Sequence, residues 1–311
     1  MKEISSLDTF KYLKHLRLEV LGNDLKPSYE NLTKIIQAHL ERIPYQNYSS
    51  LYKKTPDQAL SLEIKDLQER LIDNNTGGMC YEISELLRYL LVSLGYEVSI
   101  FRTWVLNNRP FNENHPPSHN ILCVEILDKL YLVDVAFGYN SLRAPALFDP
   151  ASKCHEFTLG KNEKYLLSSY HDQESRCFYE LSMKIQNSWF SFYRFYNQSI
   201  NYQDVRSDYL NLLKYQDIPI VSTFIKCAKI TPIKRICFSY DGKKFSYLEF
   251  RDGEKFLELD YNSLNDFSES LYEQIGVTIN DSKYMNHEIY FKNSAIYYDG
   301  SDLTGEVKDN N

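Results

Sequence analysis

Three residues of the chain could together supply a nucleophile, a base and an orienting carboxylate. They are Cys80 in NNTGGMCYE, His119 at the head of HNILCVEIL, and Asp134 inside LYLVDVAFG. Cys80 directly precedes Ile83, Leu86, Leu87, Leu90, Leu91 and Leu94, whose three- and four-residue steps predict a helix ended by Gly95. It therefore falls in the first helical turn, where unpaired backbone N–H groups and the macrodipole favour an anion. A thiol so placed is one that electrostatics activates, and the thiolate is the nucleophilic form. Gly77 and Gly78 let other backbone, or a substrate carbonyl, approach those N–H groups closely. The plainer reading of Cys80 is a small core residue, because free cysteine is among the most buried residue types.

His119 follows Pro116-Pro117-Ser118 and sits at the mouth of a strand. Asp134 lies in an aliphatic stretch where an unpaired carboxylate is costly, so it requires a partner. A histidine suits, because the carboxylate would hold the imidazole's tautomer and stabilise its charged form. The plainer reading of His119 is a strand-end histidine bonded to solvent. A turn at Asp128-Lys129 would set Asp134 across from Cys123 and leave His119 about 13 Å along the strand. Bringing the two together then takes a different register, a bulge or a bend.

The elements that must position these residues change character along the chain. Tyr29, Leu32, Ile35, Ile36, His39, Leu40 and Ile43 predict a helix that starts at Pro27-Ser28 and stops at Pro44. Together with the helix behind Cys80 it makes the first ninety-odd residues mainly helical. EVSIFRTWVL, NILCVEILDKLYLVDVAFG, HEFTL, CFYELSMKI and SWFSFYRF then read as strands of an antiparallel sheet curled toward a barrel. The last third mixes types. TFIKCAKIT, KRICFSY, KKFSYLEF and KFLELD read as short strands, with Asp241-Gly242 and Asp252-Gly253 as hairpin signals. SLNDFSESLYEQIG reads as a helix closed by Gly276, and the tail after about Tyr298 is polar and frayed.

Composition narrows the function classes. The 311 residues carry a net charge of −7, which argues against a broad phosphate-binding surface and so against nucleic acid as a partner. No run of about 18 apolar residues predicts a membrane span, and the charged N-terminus lacks a signal peptide, so the cytoplasm is expected. Six scattered cysteines without tight pairs read as free thiols, and no Cys/His spacing suggests zinc. The 26 tyrosines and 17 phenylalanines suit cores and apolar pockets alike.

The same segments resemble the arylamine N-acetyltransferase family. TGGMCYE is similar to its Gly-Gly-x-Cys helix start, SHNILCVE to its strand histidine, and LVDVAFG to its Val-Asp-x-Gly-Phe-Gly-like strand. AHLERIPYQN resembles its helix followed by Ile-Pro-Phe-Glu-Asn, and VSTFIKCAKI the Ser-x-Phe strand that opens its third domain. Order and spacing agree from about residue 5 to residue 280. The resemblance implies an α/β (α+β) fold with a Cys-His-Asp core of the cysteine-protease or transglutaminase kind. Its parts would be a helical bundle (1–95), an antiparallel β-barrel (96–200) and an α/β lid (201–311). It implies a ping-pong reaction in which Cys80 takes an acetyl group from acetyl-CoA as a thioester, with His119 as base and Asp134 as orienter. An aromatic amine or hydrazine then attacks the thioester, and no metal takes part. Tyr45 and Phe137 fall at acceptor-lining positions, and Ser118 and Tyr215 at positions that touch CoA or substrate; for each, packing or ordinary surface contact is the alternative.

Several positions depart from the family pattern. Thr76 replaces the usual Arg, Gln46 the usual Glu, Ser84 the usual Asn and Ala136 a common Gly, while His115-Pro116 stands where some relatives have Thr-Gly. If the lost Arg and Glu pair in relatives, their joint loss strands no charge. The departures keep two alternatives open: an amide synthase of the same superfamily moving a bulkier acyl group, and a non-catalytic binding or effector protein retaining the fold.

Overall fold

Asp8, Ser28 and Ser263 each start a helix by accepting a hydrogen bond from a backbone N–H of its first turn. The computed structural model describes residues 8–278 apart from 20–23, 52–60, 113, 173, 186 and 215–224; Tyr215, the Ser-x-Phe residues and the C-terminal tail lie outside the described residues. Helix α1 (Thr9–His15) is capped by Asp8, which accepts from the Lys11 N–H at 2.9 Å. In α2 (Tyr29–Arg42) Ser28 Oγ accepts from the Asn31 N–H at 3.1 Å, and Leu32, Ile35, Ile36, His39 and Leu40 form the buried face. Pro44 follows and turns the chain into the short β1 (Tyr45–Gln46) and α3 (Tyr48–Leu51). Helix α4 (Ile64–Leu67) continues into a π-type turn, Gln68–Asp73.

Helix α5 (Cys80–Ser93) is buried on nearly every side, and Gly95 ends it at φ 87°. A helix with no solvent face must pair its polar side chains internally. Glu85 does so with Arg88, whose Nε and Nη2 donate at 2.9 and 2.6 Å.

Eight antiparallel strands follow: β2 (Glu97–Val105), β3 (His119–Ile126), β4 (Lys129–Val133), β5 (Ala146–Phe148), β6 (Cys154–Leu159), β7 (Glu163–His171), β8 (Cys177–Ile185) and β9 (Ser188–Ile200). They lie in the order β5-β4-β3-β2-β9-β8-β7-β6. Phe148 at one edge makes a T-shaped contact with Tyr179 of β8 at 4.9 Å, which only a strongly curled sheet permits. Phe101, Ile121, Cys123, Leu132, Tyr165, Leu181 and Phe195 fill the inside of the curl. Strand β7 was not among the expected strands; its register with β6 and β8 is regular throughout.

The β3–β4 hairpin corrects the expected turn. The ladder runs Ile126↔Lys129, Cys123↔Leu132 and Leu122↔Val133, so the turn is Leu127-Asp128, with φ of 50° and 60°. Left-handed backbone at an exposed leucine is uncommon, which hid the turn in the sequence. Extending the ladder one step sets Asp134 across from Ile121, two residues from His119 on the same inward face. The pair are therefore diagonal neighbours, and the register removes the expected separation.

Helix α6 (Tyr202–Lys214) leads to the last part of the fold. Strands β10 (Ile225–Ile230), β11 (Arg235–Tyr240), β12 (Phe245–Arg251) and β13 (Glu254–Tyr261) pair in sequence, and β1 joins the sheet beside β10. Asp252 and Gly253, with φ of 51° and 86°, make the expected hairpin turn. Helix α7 (Leu264–Ile275) is capped by Ser263, closed by Gly276 at φ 88°, and packs Phe267 on Phe238 at 5.5 Å.

Leu87 is completely buried in the helical core, so Leu87→Ala should cost about 2–5 kcal/mol in urea unfolding. Tyr272→Ala, at an exposed position of α7, should change stability by no more than about 0.5 kcal/mol.

Candidate active site

The backbone before α5 aims its first turn at the barrel mouth. Gly77 takes φ +65°, and a Cβ there would lie 2.4 Å from Pro44 O. Only glycine lets the two segments approach so closely. Gly78 N–H donates to Pro44 O at 3.2 Å and Gln46 N–H donates to Gly78 O at 2.9 Å, which locks the IPYQN segment alongside the helix start. The neutral residues at the departed positions are satisfied without charge. Gln46 Nε2 donates to Ser49 Oγ at 2.9 Å and Gly77 O at 3.3 Å, and Thr76 Oγ1 reaches Arg70 O and Gly77 O at 3.0 and 2.9 Å. The charge at the helix start comes instead from Glu82, three residues after the Met79 N-cap. Its Oε2 accepts from Met79 N–H at 2.8 Å and its Oε1 from Arg70 Nη2 at 2.7 Å.

Cys80 occupies the first position of α5 and is 6% exposed. Contacts between α5 and the β3 segment bring it to the histidine. Tyr81 Oη donates to Pro117 O at 3.2 Å, Ser84 Oγ reaches Asn120 O at 3.5 Å, and Cys80 Sγ lies 3.9 Å from Ser118 O. Ser84 thus touches the histidine's strand and makes no bond to Asp134. His119 Nε2 donates to Asp134 Oδ2 at 3.1 Å, and Asp134 Oδ1 accepts from Ala136 N–H at 3.0 Å. With Nε2 engaged on Asp134, Nδ1 is the ring nitrogen left for Cys80.

Burial acting alone would push the His119 pKa down. The Asp134 carboxylate, through its charge and hydrogen bond, and Cys80 overcome it and raise the pKa to about 10. The imidazole is therefore charged at neutral pH. Its ring packs on Phe137 at 5.2 Å and Tyr193 at 5.7 Å. The Tyr193 phenol faces Asp134 without a hydrogen bond of normal geometry; burial and that carboxylate push its pKa up.

Of the other expected site residues, Tyr45 and Phe137 are half-buried near Cys80 and His119. Burial first, then Cys80, raises the Tyr45 pKa, and its ring lies against Gly138. Ser118 turns its carbonyl toward Cys80, while its Oγ accepts from Val105 N–H at 3.1 Å. No local spacing marks Arg70, Tyr81 or Tyr193 as site residues; Glu82, at the N3 position of a helix start, carries a legible signal. Among the described residues no group of three or more His, Cys, Asp or Glu is placed to hold a metal, and all six cysteines are free thiols. No helix among them is long and apolar enough to cross a membrane.

A family model described as N-acetyltransferase matches residues 28–284. The chain is similar to an arylamine N-acetyltransferase of Mycolicibacterium smegmatis, 31% identical over 173 residues that cover 55% of this chain and 58% of that protein. That alignment spans less than two thirds of the relative. It is also similar to arylamine N-acetyltransferase 1 of Felis catus, 24% identical over 232 residues that cover 73% of this chain and 83% of the relative. In fold it is similar to the solved structure of Mycobacterium marinum arylamine N-acetyltransferase in complex with CoA, with a TM-score of 0.73 and 22% identity over 87% of this chain and 93% of that one.

Two outcomes follow from the geometry. Gly77→Ala should lower unfolding free energy by at least about 2 kcal/mol, because left-handed strain adds to the contact with Pro44 O; urea titration reads it. A raised histidine pKa stabilises the fold in full below about pH 6.5, and that contribution is lost as pH rises through about 10. The stability difference between the wild type and Asp134→Asn should therefore narrow steadily when unfolding is measured from pH 6.5 to 10.

Proposed function

The chain belongs to the N-acetyltransferase family, and from that membership we propose that it moves an acetyl group from acetyl-CoA, through a thioester on Cys80, to the nitrogen of an aromatic amine or hydrazine. The observation that carries this reading is the buried His119–Asp134 pair set against a thiol in the first turn of α5. The similarity in fold to a protein solved with CoA supports the donor.

In the first half-reaction the Cys80 thiolate attacks the acetyl carbonyl. First-turn N–H groups of α5, which have no intrahelical carbonyl to bond, face the developing oxyanion. Collapse expels the CoA thiolate, and the charged His119 gives it a proton. In the second, an amine attacks the acetyl-Cys80 carbonyl while His119, now neutral, takes the amine's proton, and Cys80 leaves as the thiolate. Asp134 keeps Nε2 of the ring engaged throughout, so Nδ1 faces the reacting atoms in both directions. Phe137 and Tyr45 form apolar walls suited to an aromatic acceptor. Ser118 is assigned to the CoA side through its position beside Cys80.

The test is to incubate the protein with acetyl-CoA and no amine, then record intact and peptide mass spectra. One acetyl group should appear on the Cys80 peptide, be absent in Cys80→Ala, form at least about 100-fold more slowly in His119→Ala, and discharge on adding an arylamine. An unmodified Cys80 in the folded wild type would falsify the acetyl-transfer reading.

A further inference from the structure

The segment from Asp134 to Arg143 carries the orienting carboxylate and the Phe137 wall, yet its only regular structure is a 3-10 turn, Gly138–Asn140. A guanidinium from the five-stranded sheet holds it. Arg235, the first residue of β11, is 3% exposed, and its Nη1 donates to Tyr139 O and to Ser141 O, both at 2.7 Å. Its Nε donates to Glu163 Oε1 at 2.6 Å, and its Nη2 donates to Glu163 Oε2 and, at 3.3 Å, to Tyr165 Oη. Arg143 Nε donates to the same Glu163 Oε1 at 2.9 Å, and its Nη1 donates to Thr231 O. Burial alone would raise the Glu163 pKa; Arg235 and Arg143 hold it below the usual range, so this buried carboxylate stays ionised. The Tyr139 ring stacks on Phe250 of β12 at 5.4 Å.

One peptide unit joins this cluster to the site. Its carbonyl, Ser141 O, accepts from Arg235, while its N–H, on Leu142, donates to Asp134 O at 2.7 Å. The peptide is planar, so it cannot turn away from Arg235 without withdrawing its N–H from Asp134. Asp134 in turn holds His119. Glu163, Arg235, the Ser141–Leu142 peptide, Asp134 and His119 thus form one unbroken series of bonds ending beside Cys80. In a dry interior such a series restricts the position of every member.

We propose that Arg235 is a positioning residue for the reaction: from the five-stranded sheet, through the Ser141–Leu142 peptide, it sets where the Asp134 carboxylate stands against His119. This rests on the triad reading above. It makes β11 part of the machinery that aims the base. Lysine cannot substitute, because one ammonium cannot span a carboxylate fork and two carbonyls.

Alkylation of Cys80 by iodoacetamide needs no acyl donor, so it tests the role independently of acetyl transfer. The rate at the Cys80 peptide is measured near neutral pH, well below the melting transition, in the wild type, Arg235→Lys, Asp134→Asn and the double variant. Each single change should slow alkylation about 10-fold or more. The double should be no more than about twofold slower than Asp134→Asn, because Arg235 acts through that carboxylate. Should Arg235→Lys not fold, Glu163→Gln keeps the side chain's size, frees the same fork, and carries the same expectation. A wild-type rate in the single variant, or losses that multiply in the double, overturns the proposal and leaves Arg235 a stabilising residue. Coupling in alkylation without acetylation by acetyl-CoA would remove the acetyl-transfer reading and leave the role of Arg235 standing.

Discussion

A histidine, a carboxylate and a thiol shut away from water must satisfy one another, and the rest of this structure depends on that constraint. His119 and Asp134 are each 2% exposed, and Cys80 is 6% exposed. A buried carboxylate without a partner costs several kcal/mol, and breaking such a pair typically costs about 3–5 kcal/mol. Here the imidazole and the Ala136 N–H occupy the two Asp134 oxygens. The carboxylate in return keeps the imidazole charged where burial would strip its proton. The same contact that makes the burial tolerable sets the charge state the chemistry needs.

Each member of the site sits at the end of a rigid element, so its position is inherited from the fold. Cys80 takes its place from the helix start, His119 from the head of β3, and Asp134 from following directly on the last residue of β4. Tyr81, Ser84 and Cys80 meet the carbonyls of Pro117, Asn120 and Ser118 in turn, which fixes α5 against the histidine's strand. Neutral Gln46 and Thr76 leave no unpaired charge behind the helix start, where Glu82 and Arg70 pair instead. Buried ion pairs of this kind, like Arg235 with Glu163, are weak sources of net stability but are costly to break one-sidedly, which suits them to holding geometry.

Much of this was legible in the sequence because it rests on local signals. Ser28, Pro44, Gly95 and Gly276 punctuate helices whose apolar steps are plain, and the first-turn position of Cys80 follows directly from the residues behind it. What was missed depends on distant or unusual backbone. The β3–β4 turn falls at Leu127, a residue with no turn preference, so turn signals alone put the register two positions off and His119 too far from Asp134. Strand β7 opens on a buried glutamate and carries paired serines, which blurs its apolar pattern; Glu163 is tolerated there only because Arg235 and Arg143 come from elsewhere. Tyr193 and Arg235 reach the site through tertiary packing that no local spacing reports.

The charge on His119 decides whether Asp134 and Cys80 outweigh burial at the site. Imidazole nitrogen NMR of the histidine-labelled protein, followed from pH 6 to pH 10, reads it directly. Both ring nitrogens of His119 should carry protons at neutral pH, the ring should titrate near 10, and Asp134→Asn should move this downward. A His119 that is neutral at pH 7, titrates at about 6.5 and ignores Asp134→Asn would contradict this.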